Sequence, residues 1–75
     1  MQIRSKKGTI YKISRIRRRH DKTFSAQVII TGSSGMVHPT IDMYFDENKH
    51  LVDYAGISSL PFGAKKVVEK AGFRA

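Results

Sequence analysis

The sequence predicts an α+β domain: a small antiparallel β-sheet of about four strands, arranged as a meander and packed on one C-terminal α-helix, ββββα. Three observations predict it. Apolar residues alternate strictly from Thr23 to Thr31, they alternate again from Val37 to Phe45, and the period changes from two to helical after Ser58. At 75 residues the chain has room for one domain, 1–75, with a thin core, which leaves scope for a homodimer.

The first strand is the least regular element. Ile10, Ile13 and Ile16 are spaced by three, which suits neither a straight strand nor a long amphipathic helix. The β-branched content of Thr9, Ile10, Ile13 and Ile16 favours a strand, and a bulge near Ser14 would bring Ile13 and Ile16 to one face. His20-Asp21-Lys22 then connects it to the second strand. There Phe24, Ala26, Val28 and Ile30 form one face, and Thr23, Ser25, Gln27, Ile29 and Thr31 the other.

Gly32-Ser33-Ser34-Gly35 reads as a turn, because it lacks the Lys-Ser/Thr and the helix that follow a phosphate-cradling glycine loop. In the third strand Val37, Pro39, Ile41, Met43 and Phe45 share a phase. Pro39 cannot donate to a ladder and implies an edge position or a late start. Asp46-Glu47-Asn48-Lys49 is a hairpin loop with Asn48 suited to a left-handed conformation, and residues 50–54 return antiparallel to the 40s segment.

Leu60, Ala64, Val67, Val68 and Ala71 make one helical stripe, expected to pack on Phe24, Val28, Ile41, Met43 and Phe45. Ser58 or Ser59 is the expected cap, with Pro61 in the first turn. Gly72 is the expected left-handed residue after the helix, folding Phe73 back onto Val68.

Charge carries the functional argument. The net charge is +8. Residues 1–22 hold nine Lys and Arg against Asp21 alone, so the whole excess lies there, and residues 23–75 are balanced. Such crowding is commonly compensated by a polyanion whose counterions are released on binding. The expected function is therefore nucleic-acid binding, with DNA and RNA both open. Arg15, Arg17, Arg18 and Arg19 grip phosphates or groove edges, and Lys6, Lys7, Lys12 and Lys22 add attraction. On a strand Arg15, Arg17 and Arg19 would form a row about 6–7 Å apart. Residues 1–8 read as a flexible basic arm, the plain alternative being a frayed terminus. Tyr44 is out of phase with Met43 and Phe45, so it faces away from the core and is a candidate base-stacking platform.

The bland counterpart of the arginine row is a solvated basic edge strand. From another functional class, the rival is a protein-interaction or inhibitor module docking on an acidic protein. A ribonuclease-like toxin using His20 or His38 as general base ranks below both, because no nucleophile or orienting carboxylate accompanies them. The expectation is a non-enzyme without cofactor or small-molecule substrate. No metal is expected, since His20, His38 and His50 are widely spaced and cysteine is absent. With no apolar window long enough for a membrane span and no leader-like start, the expected location is the cytoplasm, with no membrane partner.

Overall fold

The computed structural model describes residues 1–75. Five strands, β1 (Gln2–Arg4), β2 (Ile10–Arg18), β3 (Phe24–Thr31), β4 (Ile41–Phe45) and β5 (Leu51–Ala55), precede one helix, α1 (Phe62–Lys70). The strands lie in sequence order in one sheet, and every neighbouring pair is antiparallel. This is the expected α+β meander with one strand more. The addition is β1, where a basic arm was expected: Gln2, Ile3 and Arg4 pair with Lys12, Tyr11 and Ile10. Ile3 thereby gains a place beside the core, which a free arm would deny it.

All four hairpin connections have the same geometry. In each, the first residue's N–H donates to the carbonyl four residues on, and the fourth residue's N–H donates back to the first residue's carbonyl. The fourth residue takes positive φ: Gly8 at 88°, Lys22 at 70°, Gly35 at 87° and Lys49 at 67°. This is the three-residue loop built from a type I turn and a left-handed residue. It corrects the loop after β4, where Lys49 and not Asn48 is left-handed. Asp46 fixes that loop through Oδ1, which accepts from the N–H groups of Asn48 and His50 at 2.9 Å each. Pro39 acts through a late start, β4 beginning at Ile41, and not through an edge position.

The core is one cluster on the inner face of the sheet. Ile13, Ala26, Val28, Ile30, Ile41, Met43 and Phe45 meet Ala64, Val67, Val68 and Phe73, while Leu60, Ala71 and Phe24 are partly buried against them. Neither Ser58 nor Ser59 caps the helix. Pro61 holds the cap position without a side-chain bond, because its fixed φ of −64° already suits helix entry.

The other end follows expectation. Gly72 is left-handed at φ 97°, the Gly72 N–H donates to Glu69 O, and the Phe73 N–H donates to Val68 O at 2.9 Å. Phe73 is thus turned under the sheet against Phe45 and Phe24, with ring centroids 4.2 and 5.8 Å away. Beyond it, the Arg74 N–H and carbonyl bond to Lys49 O and the Leu51 N–H, tying the C-terminus beside β5.

A helix of nine residues spans about 14 Å, against a longest molecular dimension of 39 Å. It lies over β1 and β2 and leaves one sheet face entirely uncovered. No helix is long and apolar enough to cross a membrane.

Candidate nucleic-acid interface

The uncovered face is set by the two-fold phase of the strands. Residues out of phase with the core, among them Ser14 and Arg17 on β2, Ser25 and Gln27 on β3, and Asp42 and Tyr44 on β4, stand on it. Register turns them into rows: Arg17 pairs with Ser25, Ser25 with Tyr44 and Tyr44 with Asp53, while Ser14, Gln27 and Asp42 form the next row. Strand neighbours lie about 5 Å apart, so each row is one continuous strip.

The arginine segment does not run as a plain strand. Between Ser14 and Arg17, Arg15 and Ile16 together oppose Ala26, and Arg15 adopts φ 53°. This is the bulge expected near Ser14, placed one residue later. It corrects the even row of arginines, because an extra residue in the ladder breaks the pleat spacing and re-aims the side chains. Arg15 and Arg17 instead line one depression of about 220 Å³, together with Ser25, Gln27, Asp42 and Tyr44. Arg19 lies just past the end of β2 and brings its Cζ to 5.9 Å from the Tyr44 ring centroid. Three of the four arginines therefore gather around Tyr44.

Arg18 pairs with Phe24, whose ring meets Phe73, so it belongs to the inner side. Ile16, adjacent to Arg17, shares the Ile13 side as expected. It lies beyond the helix, however, and stays 48% exposed.

The lysines are dispersed. Lys12 is exposed on the open face, opposite Gln2 and Ile29. Lys22 sits in the turn after Arg19. Lys6 and Lys7 occupy the β1–β2 turn, at the opposite end of the sheet from the β2–β3 turn, because consecutive antiparallel hairpins point in opposite directions. There Arg4 and Lys6 flank a second cleft with Tyr11, Phe62 and Lys66. The N-terminal charge is thus split between two ends of the molecule.

Asp21 organises the arginine turn. Its Oδ1 accepts from the Thr23 hydroxyl and from the Thr23 N–H. These two bonds, with a smaller contribution from the Arg19 charge, hold its carboxyl below the usual carboxylate range.

Gln27 and Asp42 line the same depression as Arg15 and Arg17, and the sequence reading did not single them out. Gln27 Nε2 donates to Asp42 Oδ1 at 3.1 Å across the strands. Alternation already gave both the phase of Ser25 and Tyr44, but only the β3–β4 register sets them side by side. Lys49 and Arg74 also lie at the arginine-turn end, but Lys49 rests over the inner-side rings of Phe24 and Phe73 and not on the open face. The histidines do not converge. His20 is in the arginine turn, His50 is beside Arg74, and His38 is next to Gly32 at the far end. No group of three His, Asp or Glu is close enough to hold a metal ion.

No protein-family model, curated protein or solved structure matches the chain.

Proposed function

We propose that this protein is a non-enzymatic nucleic-acid binder that uses the open face of its sheet. The observation that carries the reading is the convergence of Arg15, Arg17 and Arg19 on Tyr44, at the face the helix leaves bare. All three arginines are exposed, as are Lys12 and Lys22 nearby. Guanidinium forks grip phosphate oxygens in pairs and stack on flat rings, and a strand tyrosine offers a π-face to any base. Arginines around an aromatic ring suit a strand whose phosphates and bases are both within reach. The helix supports the sheet from the other side.

The reading is tested by fluorescence anisotropy of labelled single-stranded RNA, single-stranded DNA and duplex DNA over a salt series. Each phosphate contact contributes about −0.7 for single strands, or about −0.9 for duplex, to the slope of log affinity against log salt. The triple variant R15A/R17A/R19A is expected to lower the slope magnitude by roughly two to three units, and K65A/K66A/K70A by less than about one. Equal losses in the two variants, or an unchanged slope in the arginine variant, overturn the assignment of the open face.

A further inference from the structure

The depression beside Tyr44 contains a carboxylate, and a surface that only gripped phosphates would be better without one. Asp42 is half-buried in the strip that also holds Arg15 and Arg17, and its Oδ1 is fixed by the Gln27 amide at 3.1 Å. We propose, building on the nucleic-acid reading above, that this depression takes one unpaired base and selects guanine.

A phosphate oxygen set beside Asp42 would meet like charge, whereas a base edge can present N–H donors to it. An ionised carboxylate accepts at about four lone-pair positions, and the Gln27 bond uses one of them. The Watson–Crick edge of guanine carries two adjacent donors, N1–H and the N2 amine, which match the two oxygens of a carboxylate. Adenine and cytosine set one donor beside an acceptor, and uracil sets one donor between two acceptors. On guanine the neighbouring groups, O6 and N7, are both acceptors, which suit the guanidinium forks of Arg15 and Arg17. Tyr44 supplies the ring on which the base lies. In a duplex the N1–H and N2 donors are already paired, so the ligand is a single strand, loop or bulge. A cavity of about 220 Å³ has room for a group of purine size.

The experiment measures affinities for uridine nonamers with a central G, A, C or inosine, and for the deoxy equivalents, which separate RNA from DNA as the source. The central G is expected to bind about tenfold tighter than A or C. Inosine lacks the N2 amine and should lose much of that gain. Asp42→Asn keeps the size of the side chain and Asp42→Ala removes it, and both should abolish the preference for G. Equal binding of all four wild-type complexes, with the arginine-dependent salt slope intact, overturns the guanine site and leaves the electrostatic interface standing. Absence of binding to every oligonucleotide at low salt overturns both.

Discussion

Lys22 and Gly35 hold the same position in two successive hairpin loops, with φ of 70° and 87°. The position favours glycine, because the left-handed conformation costs an L-residue about 1–2 kcal/mol. Glycine in turn raises the freedom of the unfolded chain, a cost of about 0.4–1 kcal/mol. The first term is larger. Lys22→Gly is therefore expected to stabilise the domain by roughly 0.5–1 kcal/mol in urea denaturation, while weakening oligonucleotide binding through loss of one cation. A less stable variant would show that the loop holds Lys22 for a structural reason.

Lys49 occupies the same position in the last hairpin but has partners that Lys22 lacks. Its ammonium lies 5.6 Å from the Phe24 ring centroid and 5.9 Å from that of Phe73. Each contact of this kind at an exposed site contributes about 0.5–1 kcal/mol, which offsets the relief of backbone strain. Lys49→Gly should accordingly leave stability unchanged or lower it, in contrast to Lys22→Gly. A gain equal to that of Lys22→Gly would show that the two ring contacts contribute nothing.

The helix approaches β2 closely at Gly63. A Cβ on Gly63 would collide with the Tyr11 ring at Cε1, an impossible contact unless the ring moves. Gly63→Ala gains up to about 1 kcal/mol in helix propensity but overpacks a site where such insertion costs about 1–3 kcal/mol. Net destabilisation is expected in thermal melts, and Gly63→Ala should be far less harmful in a Tyr11→Ala background. Additive effects of the two substitutions would rule out the contact.

Val67 is fully buried among Ala64, Val68 and the inner face of the sheet. Val67→Asp places an unpaired carboxylate there, at a cost of several kcal/mol, against a total stability of about 5–15 kcal/mol for a domain of ordinary size. The core has only eleven buried residues, so loss of the folded circular-dichroism signal is expected. A melting curve like that of the wild type would contradict the packing of the helix on the sheet.

The arginine turn is expected to loosen in acid. Asp21 has its carboxyl held below the ordinary aspartate value of 3.8 in the folded state, so its contribution is present above that value and is lost as the pH falls through the folded one. The Thr23 amide resonance should report this as a shift that titrates below pH 3.8 and is absent in Asp21→Ala. A Thr23 midpoint at or above the ordinary aspartate value would show that the two hydrogen bonds do not form in solution.

By itself the sequence determined the local elements of this protein. Alternation at 23–31 and 37–45 gave β3, β4 and their buried faces, and the outward phase of Tyr44. The stripe at Leu60, Ala64, Val67 and Val68, followed by Gly72 and Phe73, gave the helix and its folded-back end. These features depend on residues close in sequence, where backbone sterics and side-chain period act directly. Residues 2–4 were not legible as a strand, since three residues with one apolar side chain carry no period, and only pairing with Ile10–Lys12 orders them. Tertiary structure alone decided the site. The β2–β3 and β3–β4 registers set Arg17 beside Ser25 and Tyr44 and Gln27 beside Asp42, and hairpin direction sends Lys6 and Lys7 to the far end. Register and hairpin direction are set by contacts between distant segments, and a one-residue slip would reverse every face. The positive charge was therefore visible in the sequence, but its division between two ends of the sheet was not.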